Sequence, residues 1–280
     1  MKKIILLLAL SVFFVLSAGG KYTQEYLDKQ AELIAVEAEK LYLLERGSWR
    51  ATDIFLEKFH KQTDNTGGYV TYFSDKSTVT SVFYSKGPSP KTIAVFSYNI
   101  FSKTENVKID SKERELTKYE NELRMIRESV YKEMKNTDFY TFYENTSPNI
   151  IPIIENNEKK AYILTAPKLS NVLITGNDYL LTFNDDYTLK STEAFHKSMI
   201  AMNMSLPEMK TAVSATHSHV KGKSEFITPT DLCTLRLYAS MLNLESYHVI
   251  SAGYISIWDF KKNTLTILSM EDWEKKYNLK

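Results

Sequence analysis

Two segments of the chain carry the hydrophobic spacing of long amphipathic helices. Between residues 22 and 45, apolar side chains recur at steps of three and four, at Leu27, Ala31, Ile34, Ala38 and Leu41. This spacing puts them on one face of a helix, which predicts that the face is buried. Gly47 and Ser48 predict a break in that helix, followed by a shorter helix over residues 52–59. A second long helix is predicted over residues 111–134.

Runs rich in β-branched and aromatic residues predict strands in two regions of the chain. The first region is a small antiparallel meander over residues 69–73, 79–84 and 92–98. An aromatic, irregular connection over residues 139–154, with Pro148 and Pro152, leads into the second region. The strands of the second region are predicted over residues 161–165, 171–175, 179–183, 211–216, 248–251, 254–260 and 264–268. A helix is predicted within that region, over residues 228–242.

This mixed order of helices and strands predicts the α+β fold class. We expect N-terminal helices with the antiparallel meander over residues 21–136. A second α+β domain is expected over residues 137–280.

The first twenty residues have the pattern of a secretory signal peptide. Lys2 and Lys3 precede an apolar run over residues 4–16, and small residues follow over residues 17–20. The run is too short to be a comfortable membrane span. We therefore expect cleavage near residue 20, export to the periplasm or the medium, and no integral membrane segment in the mature chain.

Composition narrows the function classes. The 35 Lys and Arg residues nearly balance the 34 Asp and Glu residues, so we expect no nucleic-acid partner. Cys233 is the only cysteine, which excludes an intrachain disulfide scaffold. Cys233 adjoins the apolar face of the helix predicted over residues 228–242, so we interpret it as a buried, unreactive thiol.

One constellation could carry chemistry, and it follows the strand predicted over residues 211–216. His217 and His219 stand two positions apart, so along a strand both imidazoles point to the same side. Asp231 follows at the start of the predicted helix. Two His and one carboxylate, with a fourth position left for water, form the ligand set of a catalytic zinc site. Such a site lowers the pKa of its bound water to about 7.

The same residues can also be interpreted as structural residues that bind no metal. Thr228 suits a helix N-cap, Pro229 suits the first helical position, and Asp231 can complete a capping box. His217 and His219 could then be hydrogen-bonded loop residues. His196 is interpreted as an ordinary histidine between apolar neighbours, although it could reach the site and stabilise an anionic intermediate.

The order His-x-His, a loop, and a hydroxyl residue three positions before Asp resembles the JAMM metalloproteases, also called JAB or MPN. The resemblance covers at most residues 155–270 and implies a mixed sheet flanked by helices. It implies that His217, His219 and Asp231 bind zinc and that Thr228 helps to polarise the scissile carbonyl. It also implies an upstream glutamate as general base. Glu158 is the candidate for that base, with Glu155 and Glu193 as weaker alternatives.

Two functions follow as hypotheses. The first is an exported zinc hydrolase that cleaves a peptide or isopeptide bond of an unknown protein or peptide substrate. The second is a non-catalytic exported binding or structural protein on the same scaffold, favoured by Val220 at the position where the family usually has proline. Residues 162–183 and 226–238 also resemble uncharacterised exported proteins of Bacteroidetes, which implies no activity.

Overall fold

The computed structural model describes residues 21–102, 106–136 and 138–278. The predicted signal peptide over residues 1–20 lies outside the described residues. The fold is α+β, as predicted, with helices packed on largely antiparallel sheets. Within the described ranges, no helix combines the length and the apolar content that crossing a bilayer requires.

The elements are numbered in chain order. The helices are α1 Gln24–Lys58, α2 Lys118–Asn136, α3 Pro207–Thr211, α4 Pro229–Leu237 and α5 Met270–Lys276. The first seven strands are β1 Thr66–Asp75, β2 Thr78–Ser85, β3 Thr92–Asn99, β4 Lys108–Asp110, β5 Thr146–Glu155, β6 Glu158–Pro167 and β7 Val172–Gly176. The other seven are β8 Tyr179–Phe183, β9 Leu189–Ala194, β10 Met199–Asn203, β11 Ser214–Ser218, β12 Ser246–Ser251, β13 Tyr254–Asp259 and β14 Thr264–Ser269. Short 3-10 turns occupy His60–Asn65 and Ala239–Met241.

Helix α1 runs without interruption through Gly47 and Ser48, so the predicted break is wrong. Gly47 faces the meander formed by β1 to β4. A Cβ atom there would lie 2.7 Å from the Tyr98 hydroxyl oxygen and 2.7 Å from a Val79 methyl carbon. The glycine therefore allows close approach of helix and sheet, and does not end the helix.

The region predicted as an irregular connection holds strand β5, so the prediction is wrong for residues 146–154. Residues 139–145 are irregular, as predicted. The strand pairs with β6 along its whole length and lies at the end of the sheet order β5-β6-β8-β9. Pro148 and Pro152 are four positions apart, so their missing N–H groups lie on the same side of the strand. Proline is tolerated in an edge strand because that side makes no ladder hydrogen bonds.

The chain crosses twice between the β7-β10 sheet and the β5-β6-β8-β9 sheet, and the two crossings are neighbours. Strand β7 pairs with β10, while β8 pairs with β9. The links from β7 to β8 and from β9 to β10 therefore cross side by side. A backbone hydrogen bond of 3.2 Å from Phe195 N to Asp178 O joins the two links.

The C-terminal sheet is mixed and has the order β11-β12-β13-β14. Strands β11 and β12 are parallel, with α4 in the connection between them, and the remaining pairs are antiparallel. The strand predicted over residues 211–216 begins later, at Ser214, and includes His217.

Helix α1 contributes to the core of both halves of the chain. Its Ala38 packs with Leu173 and Trp258, while its Leu41 and Leu44 pack with Val79 of the meander. The predicted boundary between residues 136 and 137 stays a prediction. The packing of α1 holds the C-terminal sheet and α4 in a fixed position. These elements carry His217 and Asp231.

Candidate metal centre

The structure brings the three predicted metal ligands together in the interior. His217 is the fourth residue of β11, and His219 extends that strand through a 2.8 Å hydrogen bond from its N–H to Ile250 O. Asp231 lies in the first turn of α4. Its Oδ2 is 3.4 Å from His219 Nε2 and 4.0 Å from His217 Nε2. All three side chains are buried.

His196 is the fourth member of the cluster, and it was not predicted as a ligand. It lies in the link between β9 and β10. Its Nε2 is 2.8 Å from His219 Nε2 and 3.2 Å from Asp231 Oδ2. The four ligand atoms all lie within 4.8 Å of one another, so this buried cluster could hold one metal ion.

The distances fit a small tetrahedral ion. With metal–ligand bonds of 2.0–2.2 Å, the edge of a zinc tetrahedron is about 3.3 Å. Four of the six separations, 2.8, 3.2, 3.4 and 4.0 Å, lie on either side of that value, and all six are within 4.8 Å. His217 Nε2 and Asp231 Oδ1 are buried without a hydrogen-bond partner. Orphaned buried acceptors of this kind require an explanation, and a bound cation supplies one.

Hydrogen bonds at Nδ1 orient each of the three imidazoles. His196 Nδ1 lies 2.5 Å from Asp178 Oδ1, and His217 Nδ1 lies 3.0 Å from the Tyr247 hydroxyl. His219 Nδ1 donates to Ser224 O over 3.0 Å. These bonds occupy Nδ1 and turn Nε2 toward the common centre. Metal-binding histidines use their second nitrogen in this way, which fixes ring orientation and tautomer.

The position of Asp231 is compatible with both interpretations of the sequence, as a metal ligand and as a capping-box residue. Thr228 is the N-cap of α4, and its Oγ1 accepts from Asp231 N over 3.0 Å. Asp231 Oδ2 in turn accepts from Thr228 N over 3.1 Å and from Thr228 Oγ1 over 2.8 Å, which completes the capping box. The predicted cap is therefore present. It does not compete with a metal, because the carboxylate has further lone pairs.

Burial and charge set the protonation of the cluster. Burial lowers the pKa of His217 to about 4, so its imidazole is neutral at pH 7. Burial also disfavours protonation of His196, but the carboxylates of Asp231 and Asp178 outweigh this effect and raise its pKa to about 11. For Asp231, burial opposes ionisation, yet the charge and hydrogen bond of His196 hold its pKa well below the usual range.

The structure does not bring Glu158 to the cluster. Glu158 is exposed at the start of β6, opposite Glu155 in the hairpin. Further along β6, Thr165 Oγ1 donates over 2.6 Å to Asn177 O, beside Asp178. Seven residues of strand separate the two positions, which is about 23 Å. Glu155 and Glu193 are also exposed. Asp178 is the only carboxylate besides Asp231 that hydrogen-bonds to a cluster histidine within the described ranges.

Gly176 packs against the link that carries His196, so substituting Gly176 tests this contact. At φ +77°, an added Cβ would lie 2.5 Å from Ser198 O and 3.3 Å from the Cβ and Cγ of His196. Gly176→Ala is expected to cost about 1–2 kcal/mol for the left-handed backbone and a further 1–3 kcal/mol for the clash. The measurement is urea unfolding.

Gly222→Ala is the matched control, because Gly222 has φ +84° and no atom within 4 Å of the added Cβ. It shares the backbone strain without the clash. Equal destabilisation by the two substitutions would show that the link between β9 and β10 is not held against Gly176.

No protein-family model matches this chain, and comparisons with curated proteins and with solved structures likewise give no match. The resemblance to the JAMM metalloproteases stays a prediction. Four protein ligands fill a tetrahedral shell, whereas three leave one position for water.

Proposed function

We propose that the chain binds one zinc ion through His196, His217, His219 and Asp231, and that this ion is structural. The observation that carries the proposal is the position of His196. Its Nε2 lies among the other donors, at 2.8 Å from His219 Nε2, where the water of a catalytic site would be. Structural zinc sites are closed by four protein ligands, while catalytic sites keep an open position.

The origin of the ligands supports a structural role. His196 belongs to the link between β9 and β10, His217 and His219 to the end of β11, and Asp231 to α4. One ion would therefore join three segments that pack on different sheets. Because the unfolded chain has no preformed site, the free energy of metal binding adds to the free energy of folding.

The donor set supports zinc as the metal. Imidazole nitrogen suits zinc, copper, iron and nickel, and a single carboxylate is compatible with zinc. Zinc has no geometric preference of its own from d electrons and accepts a compact tetrahedron. Cys233 lies on α4 two positions after Asp231, but it belongs to another packed cluster, with Leu41 and Leu44 of α1. The ligands are thus nitrogen and oxygen only.

Metal analysis of the purified chain tests the proposal. We expect one zinc per chain, and none after His217→Ala or His196→Ala. The matched control is His248→Ala, which removes a half-buried histidine of β12 that hydrogen-bonds to Ser246 and lies outside the cluster. It should keep its zinc. A chain that takes up no zinc on reconstitution would refute the proposal.

A zinc-dependent peptide or isopeptide hydrolase is the second candidate. The observation that favours it is that His217, His219 and Asp231 meet as the resemblance implies, with Thr228 beside Asp231. It requires His196 to leave the shell, and a base other than Glu158. We expect no hydrolysis of a peptide and isopeptide panel by the zinc-loaded chain. Hydrolysis that a chelator and His217→Ala both abolish would replace the structural role by the catalytic one.

A further inference from the structure

Asp178 is a buried carboxylate that the ligand set does not use. It lies in the link between β7 and β8 and is 3% exposed. Its Oδ1 is 2.5 Å from His196 Nδ1, and its Oδ2 accepts a short hydrogen bond from the Thr230 hydroxyl. Within the described ranges, its one ion-pair partner is His196. A carboxylate this deeply buried requires a compensating positive charge.

The charge of the centre indicates where that compensation comes from. A bound ion displaces the Nε2 proton of His196, so the three imidazoles are then neutral. A divalent ion with these imidazoles and one carboxylate keeps one net positive charge. Asp231 is the one carboxylate among the four ligands. In a buried site of low dielectric, a residual charge is costly. Asp178 would supply the missing negative charge, one imidazole ring away from the ion.

We propose that Asp178 is a positioning and charge-balancing residue of the zinc centre, and that it makes the centre selective for a divalent over a monovalent ion. This inference rests on the proposed zinc site. Asp178 holds the His196 ring through Nδ1, so that Nε2 is the ligand atom. Through Thr230 it also connects that ring to the first turn of α4, next to Asp231.

The backbone around Asp178 supports this role. Asp178 and His196 lie on the two neighbouring chain links that pass between sheets, and Phe195 N donates to Asp178 O over 3.2 Å. Asn177, the preceding residue, has φ 53° and is held by hydrogen bonds from its side chain to Thr141 O and Thr165 Oγ1. The carboxylate is therefore fixed before the metal binds.

The test compares Asp178→Asn with Thr230→Val. Asparagine keeps the shape and an oxygen that accepts from His196 Nδ1, but it removes the charge. Valine removes the Thr230 hydroxyl and leaves the charge, so it is the matched control. Zn²⁺ and Cu⁺ affinities are measured by chelator competition on wild type and both variants, after circular dichroism has verified that each is folded.

We expect Asp178→Asn to weaken Zn²⁺ binding by about 10- to 100-fold. Cu⁺ binding should weaken by only about 3- to 10-fold, because half the charge halves the Coulomb energy and so takes the square root of the factor. Thr230→Val should weaken both ions by the same small factor. Unchanged Zn²⁺ affinity in folded Asp178→Asn, or an equal loss for both ions, would overturn the inference and leave the zinc site standing. Failure of the wild type to bind Zn²⁺ would overturn the proposed function as well.

Discussion

Removing zinc with a chelator is expected to lower the melting temperature by about 10 °C. An ion held at a thousand times its Kd stabilises the folded state by about 4 kcal/mol. One kcal/mol corresponds to about 2–4 °C for a chain of a few hundred residues. The effect is large because the ligands come from the link between β9 and β10, from β11 and its extension, and from α4. The measurement is a thermal melt followed by circular dichroism.

Adding Zn²⁺ back should restore the melting temperature, whereas Mg²⁺ should not, because Mg²⁺ prefers oxygen ligands in an octahedron. The His217→Ala variant serves as the control, since it should melt at the same temperature with and without the chelator. A wild type that loses one verified zinc with no change in melting temperature would contradict the structural role.

Asp231→Ala is expected to have the second large effect, because Asp231 has two functions. The substitution removes a proposed metal ligand, and it also leaves Thr228 N–H at the buried start of α4 without its acceptor. We therefore expect loss of zinc together with a further 1–3 kcal/mol of destabilisation, roughly the cost of an unsatisfied buried donor. Urea unfolding in the presence of a chelator removes the metal contribution, and a comparison with Asp231→Asn then isolates the contribution of the cap.

Asp231→Asn separates the two functions of the carboxylate. Its amide oxygen can still accept from Thr228 N–H, but the uncharged side chain is a poor zinc ligand. This variant should lose zinc and, in chelator, be more stable than Asp231→Ala but less stable than the wild type, because it keeps the cap and loses the charge interaction with His196. If Asp231→Ala and Asp231→Asn are equally stable in chelator, the capping box contributes nothing measurable. If Asp231→Ala binds zinc stoichiometrically, Asp231 is not a ligand.

Local pattern predicted the elements where periodicity and packing agree. The α+β class, the antiparallel meander and the helical face of Leu27, Ala31 and Ala38 follow from spacing alone, and the structure confirms them. Prediction from local pattern failed where tertiary packing determines which residue occupies a position. Gly47 reads as a helix breaker but serves close packing, and Pro148 reads as a strand breaker but lies in an edge strand.

The candidate site was predicted as far as its residues are close in sequence. His217 and His219 share one strand, and Asp231 lies in the next helix. His196 and Asp178 could not be found in this way, because they reach the cluster through the crossing of two chain links between sheets. That crossing depends on strands β9 and β10, which the sequence pattern did not predict. The prediction of export concerns residues 1–20 and stays a prediction.

The cluster offers four candidate ligands where the resemblance implies three, and this changes how the resemblance is interpreted. The residues that resemble the JAMM pattern meet as expected, but His196 lies at the remaining corner and Glu158 lies at the far end of β6. The four-ligand geometry therefore favours stability over hydrolysis as the role of the metal.

The most direct test of the zinc centre is an anomalous difference map from a crystal of the zinc-loaded chain, recorded at the zinc absorption edge. The structure predicts one peak with four protein ligands, at about 2.0–2.2 Å from the Nε2 atoms of His196, His217 and His219 and from an Asp231 oxygen. A peak with only His217, His219 and Asp231 as protein ligands, and water in place of His196, would contradict the closed structural site. The absence of any peak at the cluster would contradict the metal centre itself.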